Sequence, residues 1–446
     1  MGAIAIEQTV ANGQLSPVEQ KMRVWHPVAD IPPWFSTIRG TARDAYFSLP
    51  LPDRTNEAWH YGDPSRYALA GLDISNAMPG FNGVRYERIC GLTGRPRKVA
   101  CLSMIADNVA EISSSEPLRD AGVTVMALRQ ALALRGDQLQ QYMEAGLVPF
   151  ERDRLLASHF ALVDNGFFVH IPKGVTAPEA IHLIMESGEP ASVVSPHILL
   201  VAEEHSAAQV FIHYLGGSAE GERNLQLGVV QSHVADGAKL TLTKIQHLGV
   251  KTDALTHEAA AIGRDASYTS VSAHFGGHHF RHEANAQLTQ PGGSAQLYGM
   301  HLVRGRQRYD FYTHQNHQAP RCTSNLLFKG AMLDRGRASY QGLITVAPGA
   351  QKTDAYQANR SLLLSPHARA DSSPQLEIEA DDVRCTHGAA VSNVGKNEMF
   401  YLQSRGISEE YARRLLVSGF MADVADRIPL ATARDYVYNY VLQQID

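Results

Sequence analysis

The sequence predicts a mainly β protein whose long β body lies between two helical segments. Three observations predict it. Apolar residues follow helical spacing up to about residue 165, alternate with polar ones through the middle of the chain, and return to helical spacing after about residue 396. A small–polar–apolar start recurs in the middle at Ala208, Ala238, Ala266, Ala295 and Ala338, with spacings of 30, 28, 29 and 43 residues. The 446 residues are 44% hydrophobic and 19% charged, a composition that supports a packed core and excludes a disordered chain.

Each element follows from its residues. Ser16-Pro17-Val18-Glu19 has an N-cap serine, a proline at the first helical position and a glutamate placed for a capping box. Proline, glycine and aspartate between Trp34 and Pro79 predict loops. Leu128, Ala131, Leu132 and Arg135 predict a helix ended by Gly136; Asp137 caps the next, which stops at Gly146. Leu155, His159, Phe160 and Val163 mark one more helix, closed by Asp164-Asn165-Gly166. Phe167–Ile171 is the first strand. Leu225, Leu227 and Val229, then Ala238, Leu240 and Leu242, and later Leu376, Ile378 and Ala380 alternate as strands with one buried face. Gly or Asp precedes most repeat starts, and the polar segment from Tyr312 to Thr323 reads as an insertion in the longest gap. Such a period implies stacked β units, none able to close its core alone. It does not separate a β-helix from a β-sandwich. Asn397–Ser404 is a short helix; Ser408 caps the next, with face Ala412, Leu415, Leu416, Phe420 and Val424. Beyond Pro429, Ala433, Val437, Tyr440 and Val441 form the face of the last helix. The layout divides into a mainly helical domain at 1–165, a β core at 166–395 and a helical domain at 396–446.

Lys+Arg is 40 and Asp+Glu is 45, a net charge of −5, so no basic surplus points to nucleic acid or an anionic membrane. The run of about eighteen apolar residues that a membrane span needs is absent from the sequence. Met1 to Lys21 does not read as a secretory signal. Cys90, Cys101, Cys322 and Cys385 form no CxxC pair, so a disulfide framework is not expected and the reducing cytoplasm is. The sequence has no P-loop, no GxGxxG opening a helix, no GxSxG and no HExxH.

The chemistry-bearing residues concentrate near the C-terminal end of the β body. Cys385 and His387, two apart at the end of a strand pattern, share one face, and a thiolate with an imidazole suits iron, zinc or copper(I). Two ligands do not close a site, so a partner chain would have to complete it; the ordinary reading is a buried Cys beside a hydrogen-bonded His. His274, His278, His279 and His282, with His314 and His317, also invite a metal reading, with His278 and His282 on one face and His279 on the other. No carboxylate or thiol accompanies them at ligand spacing in the sequence, so polar strand faces are the ordinary reading. Glu377, Glu379, Asp381 and Asp382 form an acidic stripe, read first as a solvated face. Leu415, Leu416 and Phe420 read as a packing stripe or a docking surface.

These residues resemble a family. Ser361-Leu362-Leu363-Leu364-Ser365-Pro366-His367-Ala368-Arg369-Ala370-Asp371 is similar to the core of the SufB/SufD proteins of iron–sulfur cluster assembly. So are Pro374-Gln375-Leu376-Glu377-Ile378, Cys385-Thr386-His387-Gly388-Ala389, Phe400 to Ile407 and Leu415 to Phe420. Upstream, Glu57-Ala58-Trp59-His60-Tyr61 and Phe168 to Val175 also resemble it. Thr386 and Gly388, where the SufB branch usually has glutamates, make the pattern resemble the SufD branch. The resemblance implies a right-handed parallel β-helix core flanked by N- and C-terminal helical domains. It implies pairing with a SufB-type paralogue, docking of a SufC-type ABC ATPase on the C-terminal helices through Leu415, Leu416, Gly419 and Phe420, and a homodimer when alone. It implies a non-catalytic scaffold, with His387 and Cys385 contributing to a transient iron or iron–sulfur cluster shared with the paralogue. It leaves open whether His367 adds a ligand and whether reduced flavin binds. The rival readings are a SufB-type scaffold and a β-helix carbohydrate-active enzyme.

Overall fold

Each turn of the body is a pair of strands that cannot bury both apolar faces alone, so the turns stack. The computed structural model describes residues 15–24, 31–74, 100–105, 108–113, 115–187, 190–216 and 222–445. Its core is a parallel β-solenoid of about eight turns, with helices at both ends, and the protein is mainly β as expected. The strands alternate between two sheets. The first sheet runs from Gly166–Ile171 through His197–Ala202, Asn224–Val234, Thr252–Ile262, His279–Leu288, Arg308–His317 and Arg337–Val346 to Arg369–Ile378. The second runs from Ile181–Ser187 through Ala207–Gly216, Lys239–Leu248, Ser267–Gly276, Ser294–Val303, Thr323–Met332 and Asp354–Leu363 to Arg384–Asn393. Each turn advances the chain by 26 to 32 residues, as from Ala254 to Phe280 and from Arg337 to Arg369.

The repeat has a backbone cause. Before six successive strands of the second sheet the chain turns through one left-handed residue: His205, Gly237, Asp265, Gly292, Arg321 and Lys352, with φ between 52° and 78°. Glycine and aspartate tolerate that conformation best, which is why they precede so many repeat starts. The expected insertion from Tyr312 to Thr323 is corrected. Arg308–His317 is an ordinary strand, paired on both sides, and the next start on the second sheet is Ser324, in register with Ala295. Serine in place of alanine hid that turn, and Ala338 belongs to the other sheet.

The stretch expected to loop between Trp34 and Pro79 contains the helix Pro33–Ser48. Its proline sits in the first turn, where the missing N–H costs nothing. Phe35, Arg39, Ala42 and Tyr46 give it a buried face. The expected boundary at Gly136–Asp137 is present: within Leu128–Met143 two helical segments meet at a kink at the non-helical Arg135, and the second stops before Gly146. The expected Ser16 capping box is formed, and Asp153 caps helix Arg154–Leu162, a cap not among those expected from the sequence.

The N-terminal segment also supplies strands. Ala100–Ile105 pairs parallel to Ile181–Ser187, and Thr124–Ala127 pairs antiparallel to Gly166–Ile171, so both sheets are extended at that end. N-terminal helices cover the outer face of the first sheet through Phe35, Leu132 and Phe160 against Leu199, Leu227 and Leu255. C-terminal helices cover the outer face of the second through Val417, Met421 and Val437 against Phe211, Val271 and Phe275. Strands buried on both faces lose their alternation, as in Gly166–Ile171. Among the described residues, Arg369–Ile378 and Arg384–Asn393 are the last strands of their sheets, and no further strand pairs with either. That end of the solenoid is open.

Candidate functional site at the open end

Cys385 and His387 lie on the terminal strand Arg384–Asn393. In register they stand beside Ala355 and Gln357, both buried and both facing the space between the sheets. Parallel register keeps partners on one face, so Cys385 and His387 point the same way, as their spacing predicts. With no turn stacked beyond, His387 is exposed and Cys385 is half-buried. Cys385 packs beside Ile344, Val346, Ala355 and Ala380. Burial pushes its thiol up, and the Asp354 carboxylate adds to the shift, so near neutral pH it is protonated until a cation draws the proton off.

The floor under His387 is polar. Gln357 donates to the carbonyls of Gly342 and Gln375 at 3.3 and 3.1 Å and accepts from Tyr340 Oη at 3.3 Å. Asn359 donates to Ser372 Oγ at 2.9 Å. The end therefore presents an imidazole and a thiol on a polar floor, ringed by exposed Ile378 and Val391. Among the described residues, no third His, Cys, Asp or Glu groups with Cys385 and His387 as a metal set. His367 is exposed in the turn before Arg369–Ile378, and Glu377, Glu379, Asp381 and Asp382 are exposed around that strand's end.

The C-terminal helix Glu409–Ala425 carries two interleaved apolar stripes. The stripe that packs is Ala412, Val417, Met421, Val424 and Ala425. This corrects the expected face: Leu415 is exposed, and Leu416 and Phe420 are only partly covered. Helical spacing admits both stripes, and the sheet beneath selects one. Gly419 is exposed beside Leu415, and Phe400, Tyr401 and Tyr411 are exposed on the same helical unit.

The histidine-rich stretch divides differently from strict alternation. His274 and His282 face the solenoid interior, where Lys244 Nζ lies 3.0 Å from His282 Nε2 and is paired with Glu258. Desolvation holds both imidazoles neutral, their pKa values well below the usual range. His278 and His279 turn together toward Asp253, a carboxylate one solenoid turn back that the sequence gives no reason to associate with them. His314 and His317 bond Thr345 and Ser324 at 2.8 Å each. Cys101 and Cys322 are buried, and Cys90 lies outside the described residues.

Sequence reading also missed a staple. Arg281 is fully buried, with Nε donating to Glu283 at 2.8 Å, Nη1 paired with Asp310 and Nη2 donating to the Ala58 carbonyl at 2.8 Å. Its guanidinium lies 3.8 Å from the Trp59 ring centroid. Gln341 and Gln375 donate to Glu57 at 2.7 and 2.6 Å. The Glu57-to-Tyr61 stretch is thereby pinned across the first sheet as far as its last strand.

No helix among the described residues is long and apolar enough to cross a membrane. Residues 183–420 match the family described as SUF system FeS cluster assembly, SufBD core domain. The iron–sulfur cluster assembly protein SufD of Bacillus subtilis (strain 168) is 26% identical over 421 residues, covering 93% of this chain and 94% of that protein. The chloroplastic protein ABCI7 of Arabidopsis thaliana is 31% identical over 429 residues, covering 91% of this chain and 85% of that protein. The SufD of Escherichia coli (strain K12) is 29% identical over 266 residues, 58% of each chain. With the solenoid, the open end and these matches together, the chain belongs to the SufB/SufD family and has its role in iron–sulfur cluster assembly.

Proposed function

We propose that this chain is a non-catalytic scaffold subunit that pairs at its open end with a SufB-type paralogue and docks a SufC-type ABC ATPase on its C-terminal helices. The observation that carries the reading is the open end itself, two edge strands that among the described residues are paired on their inner side only, one of which carries Cys385 and His387. An exposed edge with apolar residues is a liability unless another chain covers it, and Ile378 and Val391 are 40% and 46% exposed there. Pairing edge to edge would place ligands of the second chain opposite His387, completing a set that two residues cannot close. Iron or a nascent cluster is the cargo. His387 offers an imidazole nitrogen, and Cys385 becomes a thiolate ligand once the cation displaces its proton. When no paralogue is present, the same edges would let two copies of this chain pair.

Exposed Phe400, Tyr401, Tyr411 and Leu415 supply an apolar surface for the ATPase. Leu416, Gly419 and Phe420 lie along the same helix. Closure of two ATPase subunits would pull on the C-terminal helices of both scaffold chains and rearrange their interface, the bistable element that ATP biases. The test is anaerobic co-expression with the SufB-type and SufC-type proteins of the same source. Size-exclusion chromatography with iron and sulfide analysis is then run beside His387→Ala. The expected result is a stable complex whose iron loading falls in the variant. Unchanged loading would remove His387 as a ligand and leave the chain an arm that couples ATPase motion to its partner.

A further inference from the structure

The corner between strands Ser267–Gly276 and His279–Leu288 consists of Gly276, Gly277 and His278. Both glycines take positive φ, 72° and 70°. A Cβ at Gly276 would stand 1.9 Å from the Leu248 carbonyl oxygen, so only glycine turns the chain this sharply. The turn breaks strand alternation and brings two consecutive histidines to one side. Asp253, near the start of the preceding strand of the first sheet, meets them there. Its Oδ1 accepts the His279 backbone N–H at 3.0 Å and lies 3.1 Å from His279 Nδ1 and 3.8 Å from His278 Nδ1. The three donor atoms all lie within 4.8 Å of one another. Among the described residues this is the one group of three such side chains.

We propose that Asp253, His278 and His279 bind one divalent first-row transition-metal ion of the Fe(II) class, with water in its remaining positions. Two imidazoles and one carboxylate with open positions are the donor set that suits Fe(II). Asp253 and His279 are buried and already in contact, so two ligands are preorganised. The side chain of His278 is 47% exposed and has room to swing onto the ion, and its exposure gives water access to the open positions. Binding requires His279 Nδ1 without a proton, so its contact with Asp253 Oδ1 gives way to a bond from each atom to the ion. Arg223 Nε donates to the other Asp253 oxygen at 2.6 Å and fixes the carboxylate as an outer-shell partner. Arg223 also adds positive charge, as do Arg66 and Lys251 near His278. That charge makes the ion weakly held and quick to leave, a holding place for iron rather than a resident cofactor.

The site is distinct from the open end, and all of its protein ligands come from this chain. The full chain carrying Cys385→Ser and His387→Ala, which removes the other ligand pair, is titrated anaerobically with Fe(II) by equilibrium dialysis. Co(II) serves as an absorption probe of the ligands. The expected result is one ion per chain with the weak bands of five- or six-coordinate nitrogen–oxygen ligation. His278→Ala lowers the affinity at least about tenfold without moving the melting temperature, and His279→Gln repeats the loss. Absence of a bound ion in that background, or equal affinity in His278→Ala, would reduce Asp253 to a clamp that holds the corner. Either failure leaves the role proposed for His387 untouched, because that role is read from iron in the assembled complex.

Discussion

Arg281 shows how one side chain fixes the position of a distant segment. Its guanidinium is fully buried, between the carboxylates of Glu283 and Asp310 and the face of Trp59. Lysine cannot reproduce that fork and stack, and a neutral residue leaves the buried Asp310 carboxylate without its arginine and Glu283 with Arg152 as its one remaining arginine. Arg281→Met is expected to cost about 3–5 kcal/mol, as for other broken buried pairs. Trp59→Leu, which keeps the ion pairs, costs less. Urea unfolding gives the cost, and limited proteolysis is expected to release the N-terminal segment first in Arg281→Met. Equal protection of that segment in both proteins would show that Arg281 does not hold it. Residue-scale features differ in how far the sequence discloses them. Cys385 and His387 are readable as one face, because strand geometry fixes the side of residues two apart. The exposure of His387 is not, because it depends on no turn being stacked beyond. The approach of Asp253 to His279, or of Ala58 to Arg281, is fixed only by register across turns, which no local pattern carries.

At the scale of the element, the terminal strand decides between a lone and a paired molecule. Arg384 N–H bonds the Thr353 carbonyl at 2.8 Å, so by alternation the N–H groups of Cys385, His387, Ala389 and Val391 face the open edge. A proline at Val391 would remove an edge donor without breaking a bond inside this chain. Val391→Pro is therefore expected to leave the melting temperature of the isolated chain close to the parent's and to abolish co-elution with the SufB-type paralogue. Retained co-elution would place the interface elsewhere. Other elements are legible to different depths. The capped helices at Ser16 and Ser408 announce themselves, because a cap is a local bond within four residues. The turn that begins at Ser324 was hidden by one substitution of serine for alanine. The left-handed corners at His205, Arg321 and Lys352 carry no glycine signal, since neighbouring turns enforce a conformation their own side chains disfavour. Periodicity established stacked β units, and the parallel pairing that makes them a solenoid came from resemblance before register confirmed it.

At the scale of the whole molecule, every layer buries uncharged histidine. In the solenoid interior, burial lowers His301 to about 3 and His317 to about 4, with His314 adding to the shift at His317. On the outer face of the first sheet, desolvation lowers His197 to about 3, and its Nδ1 lies 3.2 Å from His159 Nε2. On the outer side of the second sheet, His182, also lowered to about 3 by desolvation, meets His213 at 3.0 Å. Unfolded, each of these rings takes up a proton below about pH 6.5. Folded, each stays neutral down to about 3 or 4. Between those limits the unfolded chain binds more protons, so folding stability is full above the unfolded value and is lost as pH falls through the window. Each ring contributes a slope of about 1.4 kcal/mol per pH unit there, and the rings titrate in parallel because the stacked turns must open to admit water. Urea midpoints measured from about pH 8 down to about pH 5 are thus expected to hold level and then fall steeply below about 6.5. His301→Asn, which removes one titrating ring without charging the interior, is expected to reduce that slope by about 1.4 kcal/mol per pH unit, whatever it does to the midpoint at neutral pH. A level profile through the whole range would mean that the buried rings are protonated in the folded protein.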